Sequence, residues 1–113
     1  MNKSTRENQD QLNVMRKIEE SQNLTQRDLA EDLGFSLGKL NYCLKKLKSR
    51  GFVKMNNFKR SKNKMGYMYI LTPGGIVEKT KLTVNFMKRK MQEYDELKKE
   101  LKKARENVDS NKI

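Results

Sequence analysis

Apolar positions along the chain follow a helical repeat that is interrupted twice, replaced once by alternation, and then resumed over a long stretch. Over residues 5–21, Leu12, Met15 and Ile18 fall on one helical face, with Ser4 and Glu7 in capping-box relation at its start. Thr25 reads as the N-cap of a second helix, with Asp28 at its third position and Leu24 set to staple onto Leu29. That helix runs to Leu33 and stops at Gly34. The same grammar returns with Ser36 as cap and Phe35 stapled to Leu40. It opens a third helix whose Leu40, Cys43, Leu44 and Leu47 form one buried stripe before Gly51 ends it. Beyond Gly51 the period changes to two, so residues 52–55 and 67–71 predict strands joined by a polar, Lys-rich loop. Thr72 caps a last helix, with Pro73 at its first position and Leu71 stapled to Ile76. Its pattern continues to about Ala104, a length of roughly 48 Å at ~1.5 Å per residue.

Two helices separated by a tight turn at Gly34 and Phe35 make a helix-turn-helix, and the following hairpin with its long tip makes a wing. The predicted fold is mainly α with a small β-hairpin wing. It comprises a winged helix-turn-helix domain over residues 5–72, a long C-terminal helix over 73–104, and a tail, 105–113, expected to fray for want of an apolar face. A length of 113 residues suits one core with an appended element.

Charge alters this picture more than composition does. The net charge is +12, which predicts a polyanionic partner, most commonly nucleic acid. Between Leu33 and Val77 there is no acidic residue, whereas Lys39, Lys45, Lys46, Lys48, Arg50, Lys54, Lys59, Arg60, Lys62 and Lys64 are all cationic. The excess therefore sits on the third helix and the wing. With Leu40, Cys43, Leu44 and Leu47 turned inward, Lys39, Asn41, Tyr42, Lys45, Lys46 and the edge of Gly38 face outward, where a major groove would meet them. Lys39 also breaks a local rule, since a cation in the first helical turn opposes the helix dipole. A merely solvated Lys-rich face is the plain alternative.

Chemistry sorts the candidates. Ser36, Gly38, Lys39, Asn41 and Tyr42 occupy the N-terminal half of the third helix, the half that reaches base edges in this architecture. Asn41 is suited to bidentate pairing with adenine and Lys39 to guanine. Tyr42 fits a phosphate or sugar, or simply covers the core edge. Lys45, Lys46, Lys59, Arg60, Lys62 and Lys64 are the candidates for phosphate neutralisation. Asn56, Asn57, Asn63 and Gly66 belong to the predicted wing tip.

On the terminal helix, Val84, Met87, Met91, Tyr94 and Leu101 recur at alternating three and four residues with Leu97 beside them. Such a stripe predicts pairing with a second chain, a homodimer, with Lys98 and Arg105 on the seam limiting the contact. A basic amphipathic helix on a membrane is the competing reading, opposed by Glu93, Asp95, Glu96 and Glu100. Ile76, Leu82 and Phe86, in the first half, are expected to pack on the wing and the first helix.

LTQRDLAEDLGFSLGKLNYCLKKLKSRGFVK, FKRSKNKMGYMYILTPGGI and KLTVNFMKRKMQEYDELKKEL together resemble the exopolysaccharide-associated regulators of the MarR-type winged-helix group, over roughly residues 10–104. The resemblance implies a bacterial transcription regulator, with residues 36–46 as recognition helix, residues 58–64 as wing, and a link to surface polysaccharide genes. The chain departs from the group at Gly75, where members often have a lysine, and the departure counts against the phosphate contact that such a lysine would make at the start of the last helix. MarR-type proteins often bind small aromatic effectors, but no polar cluster suited to such a pocket is evident in this chain.

Enzymatic function is not expected. The chain has no His, its single Cys43 lies on the buried stripe, and its acids are spread over outer helix faces. Gly74 and Gly75 are not part of a phosphate loop. No cofactor and no metal are expected. The polar N-terminus does not read as a secretory signal, and one cysteine forms no internal disulfide, which points to the cytoplasm. The longest apolar stretch, 67–71, falls far short of the roughly 20 residues that span a bilayer. Three functions remain: a sequence-specific regulator binding double-stranded DNA as a homodimer, a non-specific DNA-packaging or RNA-binding protein, and a winged-helix adaptor. Single strands are usually held by stacking, and the basic face offers only Tyr42 and Phe58 for that. An adaptor would have no need of a basic recognition face.

Overall fold

The computed structural model describes residues 3–20, 24–61 and 64–110; Lys3, 56–61 and 64–68 are described by backbone alone. In chain order the elements are α1 (Lys3–Glu20), α2 (Gln26–Leu33), α3 (Leu37–Ser49), β1 (Val53–Ser61), β2 (Lys64–Leu71) and α4 (Pro73–Ser110). The fold is mainly α with a two-stranded hairpin: a winged helix-turn-helix with a long C-terminal helix. The chain divides into two compact units, Met1–Leu82 and Thr83–Ile113, so the first unit extends past residue 72 into the first turns of α4.

In the first unit, α1 packs on α2, α3 and β2, α2 packs on α3, and α3 meets β1. The centre is Leu12, Val14, Met15, Leu29, Leu40 and Leu47, all fully buried. Each such aliphatic side chain contributes about 1.5–3 kcal/mol by leaving water. Val14 is a core residue that the helical repeat of Leu12, Met15 and Ile18 does not reveal. Thr25 forms a complete capping box: its Oγ1 accepts from the Asp28 amide at 3.2 Å, and the Asp28 carboxylate accepts from the Thr25 amide at 3.2 Å. The capping box expected at Ser4 and Glu7 does not form. Ser4 lies inside α1, and the Glu7 carboxylate accepts from α3 instead.

The wing is longer than its alternation suggests. β1 and β2 pair antiparallel from Val53↔Leu71 to Ser61↔Lys64, so most of the expected polar loop is strand. Backbone groups make this ladder whatever the side chains are, which is why side-chain alternation stops short of the strand ends. Among the residues of the expected tip, Asn56, Asn57 and Gly66 are thus strand positions, and Asn63 lies outside the described residues.

Thr72 caps α4 as predicted, accepting through Oγ1 from the Gly75 amide at 3.0 Å and through its carbonyl from Ile76 at 3.0 Å. Its own amide donates to Phe52 at 3.0 Å and its hydroxyl to the Gly51 carbonyl, so the end of α3, the base of the wing and the start of α4 meet at one node. Ile76 does not pack as expected and is 51% exposed. The inward face of these turns carries Gly75, Lys79 and Leu82, spaced four and three apart: Gly75 and Leu82 are buried, and Lys79 pairs with Glu19 of α1 at 2.9 Å. A glycine facing the core leaves no hydrophobic signal, so the apolar pattern points to its neighbour instead. A lysine at Gly75 is also ruled out, because a Cβ there would overlap the Phe52 carbonyl. Gly74 would meet atoms only at 3.7 and 3.8 Å and is the position that admits a side chain.

In the second unit, α4 continues past Ala104 to Ser110 instead of fraying. Val84, Met87, Met91, Tyr94, Leu97 and Leu101 are all exposed. Exposed Val108 continues the same three-and-four repeat, a seven-residue extension of the seam beyond Leu101. Phe86 belongs to this unit, with Arg89 and Lys90 over its ring at 6.0 and 5.5 Å.

Candidate nucleic-acid interface

The turn between α2 and α3 depends on Gly34, whose φ of 69° and ψ of 27° are left-handed, a conformation cheap only for glycine. Its amide donates to Glu31 at 3.1 Å, and the Phe35 amide donates to Ala30 at 2.8 Å. Ser36 then caps α3, its Oγ accepting from the Lys39 amide at 3.1 Å. These local bonds fix where α3 begins. The burial of Leu40, Cys43, Leu44 and Leu47 fixes its rotation.

With that stripe inward, the 100° advance per residue puts Gly38, Tyr42, Lys45 and Ser49 opposite the core. Leu37, Asn41 and Lys48 lie on one flank, Lys39 and Lys46 on the other. All except the half-buried Lys46 are exposed, as is the cap Ser36. Nothing stands within 4 Å of where a Gly38 Cβ would be, so the backbone there is open to approach. Neither Asn41 nor Lys45 has a side-chain partner among the described residues.

The Lys39 and Lys46 flank is engaged with α1. The Lys46 ammonium donates to Glu7 Oε2 at 3.2 Å, and the Tyr42 hydroxyl donates to Glu7 Oε1 at 3.2 Å. Lys39 Nζ lies 3.4 Å from Asp10 Oδ2 and 4.2 Å from the Phe35 ring centroid. Lys46 also stands over the Tyr42 ring at 4.8 Å. Its contact with Tyr42, and then Glu7, pushes the Lys46 ammonium above the ordinary lysine value. These contacts supply the structural reason for a cation in the first turn of α3. Glu7 and Asp10 do not figure among the sequence candidates because they stand in another helix, 35 to 39 residues from Tyr42 and Lys46 in the case of Glu7.

Cys43 is buried, and burial first and Asp10 second raise its thiol above the ordinary value. On the wing, Lys59 pairs in register with Met65 and Lys64 with Ser61, while Arg60 falls at the register shift between them. Lys62 lies outside the described residues. Lys48, Arg50 and Lys54 are exposed and extend the basic run from α3 to the base of the wing; they belong to the acid-free stretch, though their spacing gives them no individual role. Elsewhere in this unit, an open cavity of about 360 Å³ is lined by Arg16, Glu19, Glu20 and Lys79. Among the described residues, no group of three or more His, Cys, Asp or Glu could hold a metal, and no helix is long and apolar enough to cross a membrane.

Capped α2, left-handed turn, α3 with an open outer face and a hairpin after it define a winged helix-turn-helix. The comparison with known families agrees: residues 11–54 match the family described as winged helix-turn-helix DNA-binding. Among solved structures, the chain is similar to a cysteine mutant of MarR from E. coli complexed with operator DNA, at 27% identity and a TM-score of 0.56 over 65% of this chain and 51% of that one. It is also similar to the PcaV regulator of Streptomyces coelicolor with its natural ligand (19%, TM-score 0.62, covering 70% and 55%). A third is FabT of Streptococcus pneumoniae with DNA (16%, TM-score 0.57, covering 77% and 59%). The chain thus spans little more than half the length of these relatives. No curated protein matches it.

Proposed function

We propose that this chain is a sequence-specific, double-stranded-DNA-binding regulator of transcription that works as a homodimer in the cytoplasm without catalytic activity of its own. The observation that carries the reading is the outer face of α3. Gly38, Asn41 and Lys45 are exposed on a capped helix after a left-handed turn, within a stretch that holds ten cations and no acid. The DNA in the MarR and FabT structures supports the same reading. Asn41 is assigned to base readout. Lys45 and the wing residues Lys59, Arg60, Lys62 and Lys64 are assigned to phosphates. The seam of Val84, Met87, Met91, Tyr94, Leu97 and Leu101 on α4 is assigned to a second copy of the chain. The resemblance to exopolysaccharide-associated regulators makes surface polysaccharide genes the proposed targets.

Selection from a random duplex pool, followed by titration of the selected site against scrambled DNA at several salt concentrations, tests this. Enrichment of an inverted repeat, bound at least ~10³-fold tighter than scrambled DNA, supports the regulator. Equal affinity for every duplex with a steep salt slope sinks sequence-specific regulation in favour of packaging or RNA binding.

A further inference from the structure

The α1 contacts on α3 form a short ladder. Glu7 and Asp10, three residues apart and therefore on one face of α1, meet Lys46 with Tyr42, and Lys39, in reverse chain order. The donors held there, two ammonium groups and a phenol, are the groups a protein offers to a DNA phosphate. The carboxylates occupy them as a phosphate oxygen would. Asn41 and Lys45, on the same helix, have no such partner among the described residues.

We infer that α1 supplies a built-in counter-anion to the recognition helix: Glu7 and Asp10 hold Lys39, Tyr42 and Lys46 off the DNA backbone, leaving recognition to Asn41, Lys45 and the wing. Glu7 and Asp10 are then positioning residues, and they act on overall affinity and its salt dependence. Phosphate contacts are indifferent to sequence, so withholding them lowers affinity for every duplex alike and makes binding less dependent on salt, leaving discrimination to the base contacts. This inference rests on the DNA-binding reading above and assigns Lys39 and Lys46 a role opposite to the direct contacts that the pattern of charge alone suggests.

The test uses the full chain and a fluorescent duplex of scrambled sequence, titrated at salt concentrations from about 50 to 200 mM. Each added phosphate contact steepens the salt dependence by ~0.9 in log–log slope. The double variant E7Q/D10N is therefore expected to bind scrambled DNA more tightly at low salt, with a slope steeper by up to ~2 and a loss of affinity about tenfold larger across that salt range. The control E20Q/E31Q removes two exposed acids away from this ladder and is expected to leave the slope unchanged. Adding K39A/K46A to E7Q/D10N should abolish the gain, while K39A/K46A alone should leave the parent slope as it was. An unchanged slope in folded E7Q/D10N, or an equal gain in the control, overturns the inference. Should E7Q/D10N fail to fold, K39A/K46A still decides: a slope reduced by ~2 shows that these lysines contact DNA in the parent and overturns it, whereas an unchanged slope supports it. A parent chain that shows no salt-dependent duplex binding would remove the DNA-binding reading itself, and this inference with it.

Discussion

At Gly75 the lack of a side chain lets the first turn of α4 lie against the Phe52 carbonyl at the base of the wing. Backbone cannot swing aside as a flexible side chain does. Gly75→Ala is accordingly expected to destabilise the fold by about 3 kcal/mol, read as a lower urea midpoint, while Gly74→Ala, with only ordinary contacts at 3.7 and 3.8 Å, should stay within about 1 kcal/mol of the parent. Cys43 makes a second residue-scale prediction. Burial and the nearby Asp10 raise its thiol pKa in the folded state, so folding favours the neutral form. The stabilisation linked to that shift is complete below the ordinary thiol value of about 8.5 and is lost as the pH rises through the folded value. Denaturation at several alkaline pH values should show a decline that is smaller in Cys43→Ala, and a thiol reagent should label native Cys43 only slowly.

At the scale of elements, α3 is defined by three independent signals: the Ser36 cap, the left-handed Gly34 before it, and the buried stripe of Leu40, Cys43, Leu44 and Leu47. All three are short-range, which is why this helix is readable from its own residues. Its outer face divides by partner. Asn41→Ala is expected to relax preference at one base position at a cost of about 1–3 kcal/mol in the selected site, whereas Lys45→Ala should weaken all duplexes alike and reduce the salt slope by about 1. Competition binding against single-base variants of the selected duplex distinguishes the two. An Asn41→Ala variant with parent-like discrimination would remove the proposed base reader.

For the whole molecule, the exposed repeat on α4 is the feature from which the proposal of a second copy starts. Val84, Met87, Met91, Tyr94, Leu101 and Val108 recur along one seam interrupted by Lys98 and Arg105, each of the six at least 43% exposed, and a row of exposed apolar side chains of this kind is what a second copy would cover. Sedimentation equilibrium should show a concentration-dependent dimer, and Met91→Glu combined with Leu101→Glu should shift it to monomer while leaving the first unit folded. The monomer should lose the advantage of an inverted repeat over a single half-site. A parent chain that is monomeric at every concentration would overturn the seam's assignment.

Several features written in neighbouring residues were determined by the sequence itself: the capping box at Thr25, the turn at Gly34, the inward stripe of α3, the Thr72 cap and the acid-free basic run. Each rests on hydrogen bonds or periodicity spanning a few residues, so no knowledge of the rest of the chain was needed. The same local grammar failed at Ser4 and Glu7, where α3 takes the carboxylate. Tertiary structure alone decided what depends on distant partners. It extended the wing strands through backbone pairing, turned Gly75 and not Ile76 toward the core, and brought Glu7 and Asp10 onto Lys46, Tyr42 and Lys39. Those contacts join helices far apart in the chain, and a charge pattern read along one helix carries no information about the carboxylates another helix brings to it.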